Sequence, residues 1–300
     1  MLPTSTGTGP KPTVRVRVVG GLGNQMFCAA AGMALAQRLN AELEFGIDKI
    51  LRMKQRAYGL APFQLKAKLI EGDGWQFSRR AAPLHQLRNL FASGGAHPTT
   101  IWRQRGHHFD PAFLELAGNV FLRGFFQSPR YFANIVPEVR AAFNLTPLLS
   151  ESGRKLVASA AGDDSIAVHI RRGDYVSIPS NANIFTTLDA DYYGNALKFL
   201  RRVVPNPRVF VVSDDMAAAR ALLQGIPDLT FANTETPFDD MNLISACRHH
   251  IIANSSFSWW GAFLDARPDG LTIAPRHWFK KPAALRMFTD DTYPEGWLIA

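Results

Sequence analysis

From residue 165 to residue 275 short apolar runs alternate with amphipathic segments of helix length, and that rhythm leaves few folds open. SIAVHI (165–170), RVFVVS (208–213), LTFAN (229–233), IIAN (251–254) and LTIAP (271–275) read as strands. Between them DADYYGNALKFLRRV (189–203), MAAARALLQG (216–225), DDMNLISACRHH (239–250) and SSFSWWGAFLDA (255–266) read as helices. Apolar strands alternating with helices bury both faces of a sheet, which implies a parallel, doubly wound arrangement. Ligands of open α/β sheets bind at the carboxyl ends of the strands. Several of these strands run into polar clusters, His169 to Asp174, Ser213 to Asp215 and Asn254 to Ser258, so the clusters are expected to converge on one site.

The N-terminal part opens similarly. VRVRVV (14–19) reads as a strand, GGLGNQ (20–25) opens a helix of small residues, and AELEF (41–45) follows as a second strand. The middle, from about 48 to 150, is rich in Arg, His, Phe and Trp and mixes short helices with loops; FLRGFFQSPRYF (121–132) is its most strand-like piece. Three hundred residues with 47% hydrophobic content are more than a single core usually organises, so two domains are expected, with one large α/β domain as the alternative. The divisions are a disordered tail over 1–12, an N-terminal α/β domain over 13–150 and a C-terminal Rossmann-like domain over 151–300.

A formal charge of +8 favours an anionic partner, whether a nucleotide, a phosphate-bearing lipid surface or a nucleic acid. A nucleic-acid module would interleave basic runs with exposed aromatics. Here the basic pairs at 79–80, 171–172, 201–202 and 280–281 are short and scattered, so no nucleic-acid partner is expected, while contact with a membrane surface stays open. Cys28 and Cys247 lie in apolar helical stretches and read as reduced core residues, which points to the cytoplasm. The N-terminus has no apolar signal region, and no window approaches the ~20 apolar residues of a membrane span.

Among the motifs, Arg172-Gly173-Asp174 would be an adhesion signal on an exposed tip, but it follows a buried strand. Two adjacent guanidiniums at a sheet's mouth suit a diphosphate; a structural Arg–Asp pair is the alternative. GGLGNQ lacks the third glycine of the dinucleotide fingerprint, since Met26 stands there. Free amides at the helix start still attract an anion, and Gly20, Gly21 and Gly23 allow an anion or sugar close to the backbone. No P-loop is present. Asp189-Ala-Asp191 mimics the DxD of metal-dependent transferases, yet a helix cap and first turn explain it better, and no metal is expected. The pairs His107/His108 and His249/His250 lack zinc-site spacing. Ser255, Ser256 and Ser258 offer hydroxyls and helix-start amides to a phosphate beside Trp259 and Trp260.

Taken together, GGLGNQMF, GFFQSPRYF, HIRRGDYV, the DADYY helix start, VVSDD and NSSFSWWGAFL resemble, in order and spacing from residue 14 to about 280, the bacterial α1,2-fucosyltransferases of glycosyltransferase family 11. The resemblance implies a variant GT-B fold, with two Rossmann-like doubly wound domains facing across a cleft. GDP-β-L-fucose would be held mainly by the C-terminal domain and the acceptor by the N-terminal one. It implies inverting, metal-independent transfer to the 2-hydroxyl of a terminal galactose, on lactose or a lipid-linked oligosaccharide, without a cofactor. Arg171 and Arg172 would bind the diphosphate, His169 and Asp215 would hold the nucleoside, and Ser256, Phe257 and Ser258 would line phosphate and ribose. Asn24 would point at the reacting sugar, with Gly21, Gly23, Gln25, Ser213, Asp214, Asn254 and Ser255 completing the donor-binding set. The sequence departs from the family pattern at Cys28-Ala29, where Gln-Tyr is common, and loop 176–188 is where acceptor choice should be individual.

Inverting transfer needs a neutralised leaving diphosphate, an acceptor hydroxyl in line behind C1 and a place for its proton. The two arginines supply the first. Asp174, the nearest carboxylate in sequence, is either the base or the group that orients Arg172. Two other functions remain: a related GT-B transferase with another linkage or sugar nucleotide, and a non-enzymatic anion-binding module.

Overall fold

Val14 and Val16 are fully buried on one side of the first strand, while Arg15 points to the other and donates to Glu44 of the next strand at 2.7 Å. This alternation sets the two faces of the N-terminal sheet. The computed structural model describes residues 10–52, 57–71, 99–162, 164–281, 283–285, 287, 289 and 291–300, so most of the expected tail lies outside the described residues. The chain forms two compact units, one built on the residues up to 105 with 109–126 and 130–135, the other on 106–108, 127–129 and 136–300. The continuous stretch of the second unit runs from Val136, fifteen residues ahead of the boundary drawn at 151. Its first helix, Val136–Ala142, is tied to it by Arg140, which donates to Phe263 O at 3.0 Å, and Phe143 packs edge-on against Trp260 with centroids 5.1 Å apart.

In the first unit five parallel strands lie in the order β3-β2-β1-β5-β4. They are β1 Thr13–Arg17, β2 Glu42–Gly46, β3 Lys68–Ile70, β4 Thr99–Arg103 and β5 Asn119–Arg123. Helix Leu22–Leu39 crosses from β1 to β2 over the valine face, and it can lie close because position 32 is glycine: a Cβ there would sit 2.4 Å from Val16 Cγ2. It stops at Asn40, whose left-handed backbone (φ 49°) turns its amide onto the last carbonyls. Only the beginning of FLRGFFQSPRYF is strand. Pro129 opens a 3₁₀ turn, Pro129–Ile135, that buries Tyr131 and Phe132.

The second unit carries six parallel strands in the order β11-β10-β9-β6-β7-β8. They are β6 Ser165–Ile170, β7 Arg208–Ser213, β8 Leu229–Phe231, β9 His249–Ile251, β10 Thr272–Ala274 and β11 Leu298–Ile299. The order reverses at β6, so the crevice outside the carboxyl ends of β6 and β9 is the topological switch point. β6 is buried throughout: Ile166, Val168 and Ile170 pack under helix Ala190–Val203, and Ala167 faces Leu243, Ile244 and Cys247 on the other side. The helix expected over 239–250 ends earlier, at Ala246, and His249-His250 begins β9 instead. Cys247 already has extended backbone there (ψ 149°). Cys28 and Cys247 are buried free thiols, each pushed up to about 12 by burial. No helix among the described residues is long and apolar enough to cross a membrane. Two parallel-sheet α/β units in series are the components of the variant GT-B class expected from the sequence.

Candidate active site

At the carboxyl end of β6 the chain leaves the sheet as Arg171-Arg172-Gly173, and one carboxylate from the neighbouring strand end holds the first two. Asp214 Oδ2 lies 3.0 Å from Arg171 Nη1, and its Oδ1 accepts the Arg172 amide at 2.9 Å. A Cβ at position 173 would stand 2.2 Å from Asp214 Oδ2, so a side chain there would displace the carboxylate. The Arg172 guanidinium donates to Leu188 O at 2.9 Å, and that of Arg171 lies over the Tyr175 ring at 5.3 Å. Tyr175 is itself stacked on Phe185 (4.1 Å, 10°) and donates its hydroxyl hydrogen to Asn254 O at 3.0 Å. Both guanidiniums are thereby held at the mouth of the sheet, side by side at the end of one strand. Such a site attracts an anion.

Several residues expected to meet the donor also make bonds within the protein. Asp214 is ion-paired with Arg171, an Arg–Asp pair of the kind given as the alternative reading of this stretch. The backbone of Asp174 lies in the short helix Gly173–Ser177, and its side chain lies outside the described residues. Asn254 is buried and donates to Thr186 O (2.8 Å) and Trp278 O (2.9 Å). Ser258 is fully buried with its hydroxyl turned onto Ala253 O and Ser255 O. Ser258 thus satisfies carbonyls left over where β9 gives way to a helix, while Asn254 satisfies carbonyls of two other loops. Ser255 caps that helix, Ser256–Leu264, by accepting the Phe257 amide at 3.3 Å. Ser256 and Phe257 stay half-buried at its start, while Trp259 and Trp260 are core.

Ser213 and Asp215 shape the exit of β7: the Ser213 hydroxyl accepts the Asp215 amide at 3.1 Å, and Asp215 caps helix Met216–Leu222 through the Ala218 amide at 3.0 Å. His169, next to last in β6, is 3% exposed with its ring 5.7 Å from that of Phe257. Burial and the charge of Arg171 pull it down to about 3, so it is neutral, and its Nδ1 has no hydrogen-bond partner. Asp240 went unnoticed in the sequence. Burial raises it to about 6, aided by the fields of Asp239 and Asp214 and opposed by a hydrogen bond from Thr234. In TETPFDD the capping box uses Thr236 and Asp239, and Thr234 is left to bond the second aspartate.

Asp189 is the N-cap of helix Ala190–Val203, accepting the Tyr192 amide at 3.0 Å, and Asp191 sits exposed in its first turn. Among the described residues no group of three or more His, Cys, Asp and Glu comes together in a manner suited to a metal ion. In the first unit Gly20 has φ 80°, a left-handed backbone that brings its Cα close to the Asn24 amide. Gly21 precedes the helix without any side-chain cap, leaving the first amides to other partners, and Gly23 is buried in the first turn. Gln25, expected near the donor, is 1% exposed and spent on backbone: its Nε2 donates to Gly20 O and Ala57 O, and its Oε1 accepts the Gly59 amide. It holds the glycine loop in shape.

Comparison with known proteins puts this geometry in context. A sequence profile of Glycosyl transferase family 11 matches residues 6–300. An Escherichia coli alpha-1,2-colitosyltransferase is 32% identical over 294 residues, covering 95% of this chain and 98% of the relative. The O-antigen biosynthesis glycosyltransferase WbnK of Escherichia coli is 27% identical over 87% of this chain and 93% of its own. The mouse galactoside 2-alpha-L-fucosyltransferase Sec1 is 26% identical over 83% of this chain and 63% of its own. With a profile spanning nearly every residue and a relative matched along almost its full length, the chain belongs to glycosyl transferase family 11.

Proposed function

We propose that the protein transfers L-fucose from GDP-β-L-fucose to the 2-hydroxyl of a terminal galactose on an oligosaccharide or lipid-linked glycan, with inversion and without a metal ion. The observation that carries this reading is the Arg171–Arg172 pair, held by Asp214 at the switch point where an α/β sheet takes its ligand. In the reaction the bond from C1 to the diphosphate oxygen breaks and GDP leaves with the bonding electrons. The two guanidiniums stabilise the charge that grows on it, a role a divalent ion fills in DxD enzymes. The acceptor 2-hydroxyl attacks C1 from the opposite face, and its proton goes to a base for which Asp174 is the candidate. Neutral His169 and half-buried Phe257 flank the arginines on the nucleoside side of this reading. A cytoplasmic setting, at the inner membrane face where the acceptor is lipid-linked, goes with it.

A second donor is favoured by one observation: the relative at 32% identity is named for colitose, which is fucose without its 3-hydroxyl. Competition between GDP-fucose and GDP-colitose for one galactose-terminated acceptor separates the two. A kcat/KM at least about tenfold higher for GDP-fucose is expected if a buried polar group meets the 3-hydroxyl. A preference for GDP-colitose would replace the donor, and transfer from neither would remove the reading. GDP should also stabilise the fold far more than UDP, ADP or CDP in a thermal-shift series.

A further inference from the structure

The first unit's sheet has its own reversal of strand order, between β1 and β5, and both strands end there in arginine. Val16 pairs with Leu122, so the next residues, Arg17 and Arg123, are lateral neighbours, and Arg103 at the end of β4 pairs directly with Arg123. Lateral neighbours in a parallel sheet point to the same side. Three arginines therefore stand in one row across three adjacent strands at the sheet's carboxyl edge. The guanidiniums of Arg17 and Arg123 both lie over the Phe121 ring, 5.7 and 5.4 Å from its centroid. The row is rigid. Gln104 donates its amide hydrogen to Arg123 O, and its side-chain oxygen accepts the amides of Phe125 and Phe126, each at 2.9 Å.

None of the three arginines makes a salt bridge among the described residues. Arg15, earlier on the same face, is already paired with Glu44, and Asp48 is the carboxylate whose field reaches Arg123. The Nε of Arg17 is buried without a hydrogen-bond partner. Burial, with the like charges of Arg17 and Arg103, pulls Arg123 below the ordinary arginine range. Holding like charges together opposes folding unless something neutralises them in use. A carboxylate, with one negative charge, occupies one fork. A phosphate ester or diphosphate carries more charge and presents oxygens in several directions, so it can engage two or three.

We propose that Arg17, Arg123 and Arg103 form a second anion site, separate from the arginine pair after β6, that takes a phosphate or diphosphate group carried by the acceptor. Only the identity of the carrier rests on the transferase reading; the anion site does not.

The test has two arms. In the first, the full chain is saturated with GDP to fill the donor site and titrated calorimetrically with inorganic pyrophosphate. Saturable binding is expected, weakened about tenfold by Arg123→Gln or Arg103→Gln, the loss of one charge-assisted hydrogen bond. No binding, or affinity unchanged in both variants, overturns the site. Arg103 is exposed, so Arg103→Gln carries the test if Arg123→Gln melts early. In the second arm two octyl acceptors bear the same galactose-terminated glycan, one through a plain glycosidic link and one through a diphosphate. The wild type should show a KM at least about tenfold lower for the diphosphate acceptor, with the preference lost in the variants and the donor KM unmoved. Equal KM values, or variants that lose only binding to phosphatidylglycerol vesicles, overturn the acceptor assignment. Absence of transfer to either acceptor would count against the transferase reading and leave the pyrophosphate result standing.

Discussion

Arg171 is aimed by Asp214, whose Oδ2 lies 3.0 Å from its Nη1 while the other oxygen takes the Arg172 amide. One carboxylate thus sets the direction of a side chain and the path of the backbone behind it. Asp214→Asn keeps a hydrogen-bonding oxygen but loses the charge, and kcat should fall about 10- to 100-fold as the fork loses preorganisation. Gly173→Ala should give a similar loss, because its Cβ would displace the same carboxylate. Steady-state kinetics on both variants decide it; wild-type kcat in each would show that Asp214 aims nothing.

Replacing Arg171 or Arg172 by alanine should lower turnover by roughly 10² to 10³. Lysine should recover little, since a point charge does not reproduce a rigid fork. If Arg171→Lys and Arg172→Lys both ran at near-normal rates, the pair would be structural and the leaving-group role would belong elsewhere.

His169 and His250 are buried neutral. Burial, with Arg171, takes the first from 6.5 to about 3, and burial, partly opposed by Asp265, takes the second to about 4. In the unfolded chain both bind protons near 6.5, so the stability they confer is complete above that pH. It is lost as pH falls from 6.5 through the folded values, at about 1.4 kcal/mol per histidine for each pH unit. Melting temperature should therefore drop steeply between pH 6.5 and 4, and His250→Gln should flatten the slope. An equal slope in wild type and variant would contradict this account.

Transfer should survive EDTA nearly intact, because Arg171 and Arg172 supply the charge a metal would. Asp189→Ala should leave kcat near normal and cost about 1 kcal/mol of stability, the usual effect of a lost N-cap. Activity abolished by chelation and restored by Mn²⁺ or Mg²⁺ would sink the arginine mechanism.

The centre of the second sheet was legible because its strands are buried on both faces: SIAVHI and RVFVVS read as strand and are strand to the residue. In the first sheet β4, TTIWR, lies on an edge with no residue fully buried and no regular alternation, so its pattern matches a polar loop as well as a strand. β11 is two residues long, too short for any period to register. The His249-His250 pair continued a helical pattern on paper, yet both residues pack as β9, where tertiary burial overrides local preference. At the site, residue type located the strand ends but not the tasks done there. A polar residue at a strand exit looks the same whether it meets a ligand or, as Asn254 and Ser258 do, a leftover carbonyl.

The two bonds from Asn254 have a consequence for how loop 176–188 can change. Thr186 is clamped on both sides, its carbonyl by Asn254 and its amide by Trp278 O, while Ile184 O accepts the Lys280 amide and Leu188 O accepts from Arg172. The C-terminal posts of the loop are thus set into the frame that aims Arg171 and Arg172, whereas before residue 184 the tie from that side is the exposed Lys280 ammonium on Ala182 O. Under the proposed function, substitutions there should retune which glycan is accepted and leave the arginine pair in place. A specificity graft between relatives should be cut at 177 and 183, because a cut beyond Ile184 would import posts that no longer match the host's Asn254 and Trp278.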